Sequence, residues 1–252
     1  MMNEEISMNL DDRITQDTVL FGYIAVSASK NRLGHNFNAL LKQRGINGMM
    51  VPMNIREDDF YFTLSNMKKS HLNGAILSLE YQEDVLELLD TSSEMVKMCG
   101  GCDFVLRAGE TLQGDFLAPH VVKDFIDSNE AVKKIAVIGD FALARGLALV
   151  LKDYDISFYD TEIEKLLLMS QAVDVKIDIN YLSPNGVDFS EYDILIDTTR
   201  EDITSYIAKG ARINLDLKDS SSFSSLKGMQ GYIGFEDLMD LYSKQLLTKG
   251  VA

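Results

Sequence analysis

The stretch from Lys133 to Asp160, KKIAVIGDFALARGLALVLKDYDISFYD, decides the fold. Ile135 to Ile138 is a short apolar run rich in β-branched residues, the pattern of a strand buried on both faces. Gly139 ends it. Ala142 to Lys152 reads as a helix with Leu143, Leu147 and Val150 on the face toward a sheet. Ile156 to Tyr159 is a second strand, and Asp160 stands at its carboxyl end. The unit is β-α-β, and an acid about 20 residues after the first glycine is where a Rossmann-type fold holds a ribose.

The glycines of this unit depart from the dinucleotide pattern. G-x-G-x-x-G/A here reads Gly139-Asp140-Phe141-Ala142-Leu143-Ala144. The middle glycine, which lets backbone approach a pyrophosphate, is Phe141. Asp140 adds a negative charge near a helix N-terminus, where a phosphate would bind. The functional reading is a nucleoside site that avoids phosphates. The plainer alternative is that Asp140 caps the helix, Phe141 packs and nothing binds.

Outward from this unit, strands and helices alternate. Strands are expected at Val19–Val26, Met49–Met53 and Ala75–Leu79, with helices at Asn36–Arg44, Asp58–Lys68 and Glu83–Leu89. Residues 103–107 and 111–113 read as a hairpin about Ala108-Gly109. Pro119 opens a linking helix. Beyond the central unit, strands are expected at 193–197, 212–217 and 231–234, and a closing helix over 235–247. The fold class is therefore α/β: an N-terminal α/β, substrate-side domain over 1–118, a Rossmann-like parallel-sheet domain over 119–234, a helix over 235–252 packing back, and a cleft between the domains. Residues 1–17 carry no functional reading.

With 39 acidic against 24 basic residues the net charge is −15, which argues against nucleic acid and anionic membrane as partners. No apolar run reaches membrane-spanning length, and the polar start MMNEEISMNLDD is no signal peptide, so the expected compartment is the cytoplasm. A small molecule is the expected partner, and a homodimer is entertained as the assembly. Cys99 and Cys102 read as a turn of small residues rather than half a metal site, and no metal is expected. Ligands of open α/β sheets bind outside the carboxyl ends of strands. That rule selects Tyr81, Gln82, Asp103 and Asp115 on the substrate side and Thr198 and Thr199 on the nucleotide side, where the threonines serve equally well as helix caps.

This arrangement resembles the shikimate dehydrogenase family over about residues 20 to 247. Gly74-Ala-Ile-Leu-Ser-Leu-Glu-Tyr-Gln-Glu-Asp-Val is similar to that family's G-x-N-V-T-x-P-x-K stretch, and Cys99-Gly-Gly-Cys-Asp falls at its I-G-A-V-N turn. Gly114-Asp-Phe-Leu-Ala-Pro is similar to G-x-N-T-D-G, and Asp193-Ile-Leu-Ile-Asp-Thr-Thr-Arg to D-L-V-I-N-A-T-P. The resemblance places the family's catalytic lysine on Gln82 and its aspartate on Ala118. The S-x-S anchor falls on Asn31 and Leu33, the substrate asparagine on Asp103, and the closing-helix glutamine on about Leu241. Gln82 and Ala118 cannot move the proton that accompanies a hydride, so shikimate oxidation is not expected.

S-adenosylmethionine carries an adenosine for Asp160, a cationic sulfonium and no phosphate, which suits Asp140 and Phe141. The expectation is thus a methyltransferase using S-adenosylmethionine on a small planar, pyridinol-like acceptor. Its architecture is similar to that of the pyridinol C-methyltransferase of iron-guanylylpyridinol cofactor assembly. The cofactor-binding set is Gly139, Asp140, Phe141, Asp160, Thr198 and Thr199; the catalytic residues are left open. The alternatives are an NAD- or NADP-dependent oxidoreductase with an altered substrate, and a non-catalytic ligand-binding homologue.

Overall fold

The computed structural model describes residues 15, 17–30, 33–218 and 224–249. In the first half, strands β1 (Val19–Ala25), β2 (Gly48–Asn54) and β3 (Gly74–Leu77) alternate with helices α1 (Leu33–Gln43) and α2 (Glu57–Met67). The strands β4 (Thr91–Ser92), β5 (Phe104–Ala108) and β6 (Thr111–Asp115) complete a six-stranded sheet of order β2-β1-β3-β5-β6-β4. β1 runs parallel to β2 and β3, whereas β5 is antiparallel to β3 and β6. The hairpin lies where Ala108-Gly109 placed it, with Gly109 at φ +64. The helix expected over Glu83–Leu89 is instead a 3-10 turn at Asp84–Leu88. A short helix, α3 (Glu94–Cys99), was not foreseen. Ser93 caps it by accepting the Val96 N–H, and Gly100 ends it at φ +69.

The second sheet is built on the β-α-β unit. β7 (Lys134–Ile138), α5 (Ala142–Val150) and β8 (Asp155–Asp160) follow the linking helix α4 (Ala118–Asp127). Then come α6 (Ile163–Val173), β9 (Asp178–Tyr181), a small pair β10 (Val187–Asp188) and β12 (Ile207–Lys209), β11 (Ile194–Asp197), β13 (Ile213–Asp216) and β14 (Tyr232–Ile233). The order β14-β13-β11-β7-β8-β9 is parallel throughout. It reverses direction between β7 and β11, which makes that crevice the topological switch point of a doubly wound sheet. The two-domain α/β expectation holds.

The closing helix is split into a 3-10 turn at Phe235–Leu238 and α7 (Met239–Thr248). α7 returns to the first half of the chain: Arg44 pairs with Asp240 at 2.6 Å, and Gln245 Nε2 donates to Asp124 at 2.8 Å. The two halves meet closely elsewhere. A Cβ on Gly101 would lie 2.3 Å from Ala142 Cβ, and one on Gly146 2.3 Å from Pro119 Cγ. These glycines let α5 pack against the α3 turn and α4. Asn31, residues 1–14 and 16, and most of the serine cluster near 220 lie outside the described residues. Among the described residues no helix is long and apolar enough to cross a membrane.

Candidate functional site

The cleft has two sides. On the first-domain side a cavity of about 20 Å³ is lined by Tyr23, Ser78, Gln82, Ala118, Phe235 and Tyr242, with Leu143 and Leu217 from the second domain. That is room for about one water. Among the described residues that line it, none is charged. Gln82 is buried there, and its Nε2 lies 3.4 Å from the Leu77 carbonyl.

The other substrate-side residues do not converge on this cavity. Tyr81 was expected to point into the cleft. It turns the other way, stacking on Phe60 with centroids 4.3 Å apart and donating to the Ile55 carbonyl at 2.5 Å. Burial pushes its hydroxyl up to about 12. Asp115 lies on a separate groove of about 320 Å³ with Ser93, Gln113 and Lys249. Burial opposes its charge, but hydrogen bonds from Lys249, Ser93 and the Phe116 N–H win and hold the carboxyl below its usual value. Asp103 is fully buried beneath the cavity. Its Oδ1 accepts the Leu117 N–H and its Oδ2 the Ala118 N–H, each at 2.7 Å, and the Tyr242 hydroxyl also donates to Oδ2. It therefore satisfies the start of α4, where orphan N–H groups welcome a carboxylate. Burial still pushes it up to about 7. Tyr242, rather than Leu241, is the α7 residue at the cavity.

The second-domain side is built at the switch point. Gly139 adopts φ +103, a conformation that favours glycine, and a Cβ there would lie 2.8 Å from Thr198 Oγ1 and 3.0 Å from Thr199 Cγ2. The loops after β7 and β11 are thus in contact. Phe141, not Asp140, is the residue that enters α5, and no side chain caps the helix. The first helical bond is Arg145 N–H to the Phe141 carbonyl. The N–H groups of Ala142, Leu143 and Ala144 find no acceptor among the described residues, so α5 presents the free donors that anions use.

Thr198 and Thr199 do not cap a helix. Thr198 Oγ1 donates to the Ile138 carbonyl at 2.7 Å, tying β11 to β7. Thr199 donates its N–H and hydroxyl to Asp197 Oδ1. Asp197 Oδ2 is paired with Lys218 Nζ at 2.7 Å, with both side chains buried. Beside them burial pushes Asp216 up to about 6, and the Asp197 charge adds to the shift. This Lys218–Asp197–Thr199 chain positions the next residue, Arg200. The Arg200 guanidinium lies 5.3 Å from the Phe141 ring centroid and 3.6 Å from Glu83 of the first domain. Asp160 ends β8 with Oδ1 accepting the Glu162 N–H at 2.8 Å. Sequence reasoning missed Arg200, Lys218, Asp197 and Tyr242. The signal for the first three was a charged residue at or just past a strand end; for Tyr242 there was none.

The crevice brings together three N–H groups without an acceptor among the described residues, the Asp160 carboxylate and, on the loop after β11, the Arg200 cation. Phe141 fills the place of the middle glycine, and Asp140 leaves a charge beside it. The donor set fits an anion and a ribose; the Phe141 ring is the departure.

No protein-family model matches the chain. A curated relative, the NADP(+) shikimate dehydrogenase of Methanococcus maripaludis, is 25% identical over 197 residues, covering 74% of this chain and 69% of that protein. Solved structures share the fold. The shikimate 5-dehydrogenase of Thermus thermophilus, in complex with NADP(H) and shikimate, superposes with TM-score 0.69 at 16% identity over 92% of this chain and 94% of that one. The 5-ketofructose reductase of a Gluconobacter strain does so with TM-score 0.65 at 16% identity, over 91% of each chain. The shikimate dehydrogenase-like scaffold is therefore real. The expectation of an S-adenosylmethionine-dependent methyltransferase is overturned, because the relatives are NADP(+)-dependent dehydrogenases. S-adenosylmethionine as cofactor falls with it. The expectation weighed Asp140 and Phe141 alone, without the α5 N–H groups that lack an acceptor among the described residues and without the Arg200 cation over Phe141.

Proposed function

We propose that this chain is a nicotinamide-dinucleotide-dependent oxidoreductase on the shikimate dehydrogenase scaffold, acting on a substrate other than shikimate. The observation that carries this reading is the anion-ready start of α5 at the switch point, with Asp160 at the adjoining strand end. When bound, the nicotinamide would accept or supply a hydride. Around it the chain's own residues have defined tasks. Ala142, Leu143 and Ala144 offer backbone N–H donors, Asp160 offers an acceptor to a ribose hydroxyl, and Arg200 offers positive charge. Lys218, through Asp197 and Thr199, holds the Arg200 loop.

The altered substrate rests on the first-domain side. Gln82 and Ala118 supply no acid–base pair, and among the described residues no cation lines the cavity to hold a carboxylate. The fold's neighbours support a change of substrate, since one of them is a 5-ketofructose reductase. A second reading, a dinucleotide-binding protein without turnover, is favoured by the cavity of about 20 Å³. One assay separates the two. Purified chain is titrated with NAD and NADP by calorimetry, then incubated with the bound dinucleotide and a panel of small uncharged alcohols. Binding with turnover of a neutral alcohol supports the oxidoreductase, and binding without turnover of any supports the second reading. Shikimate oxidation above a no-enzyme control would overturn the altered-substrate assignment.

A further inference from the structure

We infer that the adenosine end of this site selects the dinucleotide with a free ribose 2′-hydroxyl, NAD, over its 2′-phosphorylated form, NADP, and that Asp160 is the specificity residue. The inference rests on the dinucleotide reading above and departs from the NADP(+) named for the relative.

Asp160 is the last residue of β8, 9% exposed, at the place where an acid meets a ribose in this class of sheet. One oxygen is committed, to the Glu162 N–H. Oδ2 has no partner among the described residues, so a mostly buried carboxylate keeps one acceptor free. Burial raises its pKa, the Glu162 N–H opposes that, and the nearby Asp140 charge raises it further. A hydroxyl donor answers such an oxygen. A phosphate does not: it brings acceptors and between one and two negative charges against a carboxylate.

The surrounding charges strengthen the choice. The charges of Asp140 and Glu162 both press on Asp160 in this corner. The local cation is Lys165, and its Nζ is held 2.8 Å from Glu162 Oε1. Arg200 is engaged with Phe141 and Glu83 on the other loop. A site for a 2′-phosphate would need a cation where this chain has Asp160-Thr161-Glu162.

The test is titration calorimetry of the full chain with NAD and with NADP, repeated on Asp160→Asn and Glu162→Gln, with thermal melts to establish that each variant is folded. The expected result is NAD binding at least about tenfold tighter than NADP. Asp160→Asn removes the charge but keeps the shape and should shrink that ratio at least threefold, roughly, by easing the repulsion. Glu162→Gln, which frees Lys165 without touching the strand end, should raise NADP affinity more than NAD affinity and serves if the first variant does not fold. NADP binding as tightly as NAD would overturn the inference and leave the dinucleotide reading standing. An unchanged ratio in a folded Asp160→Asn chain would overturn Asp160 as the selector. Binding of neither dinucleotide would overturn both.

Discussion

Asp103 and Asp160 are both buried carboxylates at strand ends facing the cleft, and they differ in what surrounds them. Asp103 meets the Leu117 and Ala118 N–H groups and the Tyr242 hydroxyl, and these bonds lock β5, α4 and α7 together. Asp160 meets one N–H and, among the described residues, keeps an oxygen free. Around Asp103 the cavity holds about one water; near Asp160 the first turn of α5 has donors with no acceptor among the described residues. A buried polar group that is fully satisfied stabilises the fold, whereas one left open at a strand end is available to a ligand. The first-domain side of the cleft has closed on itself, and the second-domain side has not.

The largest test of this contrast is Lys218→Met. It leaves Asp197 buried without its partner, which costs about 3–5 kcal/mol. Urea unfolding should show that loss, and a change below about 1 kcal/mol would mean that water reaches the pair. Next is Tyr242→Phe, which keeps the ring but removes a hydrogen bond to a charged group. The expected cost is about 1.5–3 kcal/mol, with dinucleotide affinity unchanged because the effect stays on the closed side.

Asp103 also sets a pH dependence. Its folded pKa, about 7, is raised above the ordinary 3.8. The folded state therefore holds the proton more tightly, so this contribution to stability is fully present below about 3.8 and is lost as pH rises to about 7. Asp216, raised to about 6, acts in the same direction. Asp103→Asn should flatten the fall in stability between those limits, measured by unfolding at a series of pH values. A slope identical to that of the parent chain would show that Asp103 does not titrate there. The smallest effect is expected for Arg200→Ala. The Arg200–Glu83 pair is about one-third exposed on each side, so stability should drop by no more than about 1 kcal/mol. Dinucleotide affinity should nonetheless weaken, and equal affinity would remove Arg200 from the site.

The parts of the molecule legible in sequence are those with strong local signals. The apolar run of β7, Gly139 and the acid ending β8 marked the Rossmann-like half, and Ala108-Gly109 marked the hairpin. α3 was hidden because six residues hold too little periodicity, and α6 because Ile163, Leu167 and Leu168 are exposed, which blurs its apolar face. The site was less legible than the fold. Tyr81 precedes Gln82 in sequence, yet the 3-10 turn at Leu79–Tyr81 sends it under Phe60. Lys218 and Asp197 are 21 residues apart and meet only because β11 and β13 are neighbours. Such pairings are tertiary, and no local pattern announces them.

The claim that one side of the cleft is open and the other closed is tested most directly by calorimetric titration of NAD into the full chain, with and without shikimate. The account predicts one NAD bound per chain with the same affinity in both titrations. No binding of NAD, or an affinity tightened tenfold or more by shikimate, would contradict it.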